Sequence, residues 1–228
     1  RYNAVYQQLS FIAEHYDSVI MISGSREFSA TRDVFEQVAA KLRDEGTAVT
    51  VINSRTKSGA HGLLVLQAAC LAARGCSHEE IAKKIEHALP RARMIVSMAD
   101  YKSMVNSGRL SPLQSFIPAL FNLKPLVTLD KEGRDKLFAA ALNRKAGLNK
   151  IVDAVKKING EEPIGSYCIV HTGAPELAET CRRAIADLLE KEPEYVMEGS
   201  ATAALTTGRG ALAVCTLSDP EKESCVRC

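Results

Sequence analysis

Four turns in this chain collect residue types that can hold an anion. The first is Ser25-Arg26-Glu27-Phe28-Ser29-Ala30-Thr31, in which Ser25, Ser29 and Thr31 supply hydroxyls and Arg26 a guanidinium. The second opens at Ser54 and runs to Gly62; the third is Ser107-Gly108-Arg109; the fourth is Thr206-Thr207-Gly208-Arg209-Gly210. Hydroxyls and an arginine beside the free N–H groups of a helix start suit a phosphate or a carboxylate. A guanidinium fork, such as that of Arg109, can grip either one. Covalent and metal chemistry are not laid out in the same way. Of five histidines, His15, His78 and His87 fall on polar helical stretches and are expected to be solvated. His61 precedes an apolar helix and His171 follows a strand, with no Ser, Cys or carboxylate at a nucleophile or metal-ligand spacing. There is no G-x-G-x-x-G, Walker loop or G-x-S-x-G. No catalytic residue, metal ligand or cofactor site is read from the chain, which argues for a binding protein over an enzyme.

The turns need elements to hold them. Residues 19–22 are a short apolar run bounded by polar residues, a buried strand. A helix follows with Phe35, Val38, Ala39 and Leu42 on one face and Ser29 or Thr31 as N-cap. Residues 48–53 are a second strand, with the Ser54 loop at its carboxyl end. Residues 62–73 are apolar nearly all round, which predicts a helix inside the core. Ser77 and Glu80 form a capping box for the next helix, and Pro90 ends it. Before all of these, residues 2–16 read as an amphipathic helix. A second unit begins near Arg93: a strand at 94–98, a short helix from Asp100, and another from Ser111-Pro112. Then come a strand at 124–130, a stretch at 137–142 that is helical by propensity, and a helix at 148–158. A strand at 167–170, a helix at 175–189, a strand at 195–197 and a glycine turn leading into a last strand complete the chain. This alternation predicts an α/β fold with parallel or mixed sheets in two domains, residues 1–91 and 92–228. Ligands gather at the carboxyl ends of such strands.

Composition narrows the class. With 228 residues, 46% hydrophobic and 25% charged, the chain has the make-up of a globular protein. A net charge of +2 and the lack of a basic stripe give no nucleic-acid footprint. No apolar run reaches a membrane span and no signal peptide is read, so stable membrane insertion is not expected and the location expected is cytoplasmic. Cys70, Cys168 and Cys215 sit in apolar segments, where cysteine packs as a small hydrophobe. Cys225 and Cys228 form a lone C-x-x-C without partners for a metal or redox role.

Five ordered segments carry a resemblance that covers nearly the whole chain. They are residues 25–31; Val51-Ile52-Asn53-Ser54 with Gly62-Leu63-Leu64-Val65-Leu66-Gln67-Ala68; residues 104–110 ending in Ser107-Gly108-Arg109-Leu110; residues 119–127 around Asn122-Leu123-Lys124-Pro125; and residues 205–212. In this order and spacing the chain resembles the DegV family of fatty-acid-binding proteins. The resemblance implies a two-domain fold with a ligand cleft between the domains. It also implies a long-chain fatty acid with a buried tail, and no chemistry by the protein itself. Ser25, Arg26, Ser29, Thr31, Ser54, Arg109, Thr206, Thr207 and Gly208 are the ligand-binding positions it implies. A dihydroxyacetone-kinase-like partner or fused domain that phosphorylates the carboxylate is implied as well. The resemblance further implies that residues 137–142 pair as a hairpin with residues 124–130, against the helical propensity. The chain departs from the family pattern at Arg26, Ala30 and Thr206, and its first domain lacks the family's opening strand. The alternative function is therefore a small-molecule or phosphoryl-transfer accessory domain that has lost the fatty acid. Two strands make a marginal sheet. An upstream segment or a partner chain, as in a homodimer, is expected to cover the open edge.

Overall fold

The computed structural model describes residues 2–99 and 123–219. The short helices expected after Asp100 and Ser111, and Arg109 between them, lie outside the described residues.

The chain opens with α1 (Tyr2–Ala13), β1 (Ser18–Ser23), α2 (Thr31–Asp44) and β2 (Ala48–Asn53). β1 and β2 pair in parallel, Ser18 opposite Ala48 and Ser23 opposite Asn53. The alternation of each strand sends its side chains to two layers. Val19, Met21 and Val49 meet Val38, Ala39 and Leu42 of α2, with Val5 and Leu9 of α1 closing that side. The opposite face, Ile20, Ile22 and Ile52, meets Ile81 and Ile85 of α4 (His78–Ala88). The capping box that starts α4 is formed as expected, Glu80 N donating to Ser77 Oγ and Ser77 N to the Glu80 carboxylate. The cap of α2 is not. Ala30 occupies the position without a side-chain bond, while Ser29 Oγ accepts from Thr31 N at 3.2 Å and pairs with Thr31 Oγ1 at 2.6 Å. His78 also departs from expectation. It is half-buried, with Nε2 at 2.7 Å from Thr50 Oγ1, because α4 lies directly on β2.

The second sheet has six strands in the order β5-β4-β3-β8-β6-β7. These are β3 (Ala92–Ser97), β4 (Lys124–Leu129), β5 (Asp135–Ala141), β6 (Ile164–His171), β7 (Tyr195–Glu198) and β8 (Leu212–Ser218). All neighbours run antiparallel except β6 and β7. The hairpin of β4 and β5 forms, Lys124 opposite Ala141 and Leu129 opposite Asp135. Its turn has Asp130 Oδ1 accepting from the N–H groups of Glu132 and Arg134, and Gly133 at φ +88°, a conformation that suits glycine. Pairing across the sheet buries one face of the strand, and that outweighs local helix propensity.

One face of this sheet, Ile95, Tyr167, Ile169, Leu212 and Val214, is covered by α5 (Arg144–Glu161) and α6 (Pro175–Leu189). The other face receives α3 (Ser58–Ala73), with Leu63 and Leu64 against Met94, Val96, Cys168 and Cys215. At its far end α3 turns Leu71 toward Ile52 and Ile81 of the first layer system. Contact with both sheets accounts for much of the apolar surface of residues 62–73, while Val65 stays exposed. α3 belongs by sequence to the earlier stretch and by packing mainly to the later sheet. A short helix that the sequence reading missed, α7 (Ala201–Thr207), precedes β8 and is capped by Ser200, whose Oγ accepts from Ala203 N.

Candidate functional site

A cavity of about 500 Å³ lies between the six-stranded sheet, the start of α3 and α7. Its floor is built by period-2 alternation. Met94 and Val96 along β3, Met98 just after it, Val127 on β4, Val170 on β6 and Ala213 on β8 all face the α3 side. Two glycines let the α3 backbone come down onto this floor. A Cβ at Gly59 would stand 2.5 Å from Cys168 Sγ and 2.9 Å from Cys215 Sγ, and one at Gly62 would strike Tyr195 Oη. Tyr195, at the start of β7, reaches across instead and donates its hydroxyl to Gly59 O at 3.2 Å. Tyr195 and Met197 thus form the wall at the β7 edge.

The opposite end, by the β5 edge, is charged. Lys57 Nζ lies 2.7 Å from Asp135 Oδ1, and both residues line the cavity. The same ammonium sits 3.5 Å over the ring of Phe28, in the serine turn after β1. The β4–β5 turn presses on that turn as well: a Cβ on Gly133 would meet Ser25 Oγ and Arg55 O, both at 2.5 Å. The first sheet's loops and the second sheet's hairpin therefore meet at the charged end of the cavity.

The Cys215 thiol beneath the cavity is not poised as a nucleophile. The hydrogen bond to Cys168, and then burial, raise the Cys215 thiol well above its ordinary value. Burial and the neighbouring Cys168 likewise push the Tyr195 phenol far up. Both groups stay protonated, so the arrangement offers apolar enclosure rather than covalent chemistry. Among the described residues no cluster of three or more His, Cys, Asp or Glu can hold a metal ion, and no helix is long and apolar enough to cross a membrane.

The residues named from the sequence fall into three groups. Thr206 and Thr207 line the cavity, but each Oγ1 donates to Ala203 O, at 2.9 and 2.8 Å, so their protons are committed to the α7 backbone. Gly208 ends α7 at φ +81° and accepts from Thr172 Oγ1 at 2.6 Å. Ser25 and Ser54 are buried at the carboxyl ends of β1 and β2, where Ser54 Oγ accepts from Thr56 N and Ser25 N donates to Thr56 O. Arg26, Ser29 and Thr31 lie exposed, Arg26 3.4 Å from Asp33. α3 meets the cavity only near its start, through Ser58, Gly59 and Gly62. Sequence reasoning missed Lys57, Asp135 and Tyr195. Read from sequence, Lys57 falls in the loop from Ser54 to Gly62, whereas α3 starts at Ser58 and so sets the lysine directly before the helix. Asp135 had no signal, since only the hairpin register brings it there.

Comparison with known proteins adds relatives. The protein-family model described as “Uncharacterised protein, DegV family” matches residues 1–219. A DegV domain-containing protein of Caldanaerobacter subterraneus subsp. tengcongensis is 30% identical over 179 residues, 78% of this chain and 63% of that protein. The chain thus matches under two thirds of that relative's length. Among solved structures, a fatty-acid-binding DegV family protein from Thermus thermophilus is 25% identical with a TM-score of 0.80, covering 96% of this chain and 76% of the other. The B3 protein of the Streptococcus pneumoniae fatty acid kinase, loaded with linoleic acid, has a TM-score of 0.83 at 18% identity, covering 94% and 76%.

Proposed function

The chain belongs to the DegV family, and from that premise we propose that it binds a long-chain fatty acid, the tail lying in the cavity between α3, α7 and the six-stranded sheet. The observation that carries this reading is the cavity itself, about 500 Å³, with a floor of methionine, valine and alanine and polar groups confined to particular ends and edges. That is the size and character of a site for an elongated apolar ligand with one polar end. The Thermus and pneumococcal neighbours, one named for fatty-acid binding and one holding linoleic acid, support the reading. The carboxylate lies where the loops after β1 and β2 approach the cavity, with Thr206 and Thr207 on the lining and Ser25, Arg26, Ser29, Thr31, Ser54, Gly208 and Arg109 as the further ligand-binding positions that the resemblance suggests. The protein acts as a carrier. Its cargo's carboxylate is presented to a kinase partner, which the resemblance suggests is related to dihydroxyacetone kinase; the pneumococcal neighbour's name, which includes a fatty acid kinase, supports a kinase in that place.

The test is extraction of the purified chain with organic solvent followed by mass spectrometry, paired with titration of a fluorescent fatty acid. An acyl chain in the extract, and loss of fluorescent binding in Ala213→Phe, which fills the floor, are expected. A wild-type chain that neither carries nor takes up an acyl chain refutes the carrier reading.

A further inference from the structure

The cavity crosses the six-stranded sheet from Asp135 on β5, at one edge, to Tyr195 and Met197 on β7, at the other. Among the described residues no strand pairs with the outer side of β7, so its side chains are the sheet's last cover between the cavity and solvent there. That cover is thin. Of the four residues of β7, Val196, Met197 and Glu198 are exposed and Tyr195 is half-buried. Methionine is unbranched and turns about three bonds, so Met197 can yield to a neighbour. Tyr195 is held on three sides. Its backbone is paired opposite Cys168, and its ring packs against the cluster that contains Leu63, Cys168 and Cys215. Its hydroxyl donates to Gly59 O at 3.2 Å. The helix above is shaped to admit it, since Gly62 has no side chain where a Cβ would strike Tyr195 Oη.

Taking the acyl-binding reading as its basis, we infer that Tyr195 is the end stop for the acyl tail and sets the longest chain the cavity holds. In that reading the carboxylate lies at the end where the loops after β1 and β2 meet the β4–β5 hairpin. The tail therefore points along the floor, past Val96 and Ala213 toward β7. Each methylene laid on that floor tightens binding about fourfold. A chain long enough to meet the Tyr195 ring gains nothing more, because forcing extra carbon against a packed neighbour offsets the burial. The ring supplies the bulk that stops the tail. The hydroxyl bond adds to the seating of α3 without adding bulk toward the cavity, so the two parts of the side chain can be tested separately.

The experiment measures displacement of a fluorescent fatty acid by lauric, myristic, palmitic, stearic and arachidic acids, on wild type, Tyr195→Phe, Tyr195→Leu and Tyr195→Ala. Each step in the series adds two methylenes and should tighten binding about tenfold or more while the floor lasts. Wild type is expected to follow that rise and break from it at one member. Tyr195→Phe should break at the same member, since it keeps the ring. Tyr195→Leu and Tyr195→Ala should break at least one member later while binding the shorter acids as wild type does. Thermal unfolding checks that each variant is folded, and if Tyr195→Ala is not, Tyr195→Leu, which retains apolar cover, carries the comparison. A break that stays in place in the folded truncated variants overturns the assignment. So does a break that moves in Tyr195→Phe as far as in Tyr195→Leu, or a wild type with no break across the series. An equal loss of every acid in a folded Tyr195→Leu also overturns it, making the tyrosine only a strap for α3. If wild type binds none of the acids, the acyl-binding reading itself fails and the assignment falls with it.

Discussion

Gly59 offers a sharp test of how α3 is seated. It is the second residue of that helix, and its missing side chain leaves the space that Cys168 and Cys215 occupy from directly opposite positions on β6 and β8. Both thiols are fully buried, so neither has room to retreat. In Gly59→Ala the new methyl would lie 2.5 Å from one sulfur and 2.9 Å from the other, against 3.4–4 Å for ordinary contact. Overpacking of this kind costs about 1–3 kcal/mol. Replacing glycine by alanine within a helix contributes about 1 kcal/mol in the other direction, and less in the first turn. The expected result is a net loss of about 1–2 kcal/mol. Cys168→Ala alone also destabilises by leaving a void. The double variant should recover part of the loss, with a coupling of about 0.5–3 kcal/mol, because the alanine methyl fills the space the sulfur vacates. Urea unfolding of the four proteins measures this, provided the slope with denaturant is unchanged. A stabilised Gly59→Ala, or one whose effect simply adds to that of Cys168→Ala, would refute the seating of α3 described here.

Tyr195→Phe removes the bond to Gly59 O and should lower unfolding stability by about 0.5–1.5 kcal/mol, read by the same urea titration. Ser77→Ala breaks the capping box of α4 and should cost about 1 kcal/mol, seen as a lower thermal midpoint with the circular dichroism spectrum retained. On the surface of α6, Arg182 and then Arg183 hold the Glu179 carboxyl down to about 2, from an ordinary 4.5. Because the folded value is the depressed one, this stabilisation is fully present above 4.5 and is lost as pH falls toward about 2. Glu179→Gln should therefore flatten the dependence of the urea midpoint on pH across that acidic window.

Much of the fold could be read from periodicity because burial follows it. The strands at β1, β2, β3, β6 and β8 show as apolar runs between polar loops, and β8, buried at every position, is the central strand that its unbroken A-L-A-V-C-T-L pattern suggests. The hairpin at β5 could not be read that way, because L-F-A-A-A-L favours a helix until β4 is present to pair with it. α7 escaped notice because A-T-A-A-L-T-T is short and carries no apolar stripe; what fixes it is the Ser200 cap and its place over the cavity. His78 was misread since its polar helix neighbours say nothing of Thr50 on the adjoining strand. The site was less legible than the fold. The threonines at the end of α7 were found from their type, but which protons they had available was not knowable without Ala203 in place. Lys57 and Asp135 are 78 residues apart, and only the register of β4 with β5 and the docking of α3 make them neighbours.

α3 touches both sheets, Leu63 and Leu64 resting on the six-stranded one and Leu71 on the packing around Ile52. A beam shared in this way ties the local opening of one sheet to the other. The first sheet cannot come apart from α4 without loosening the end of α3, and a loosened α3 lifts the wall of the cavity. Free energy gained when a ligand fills that cavity is therefore distributed beyond the residues it touches. Amide protons of β1 and β2, whose residues do not line the cavity, are expected to exchange more slowly when it is occupied.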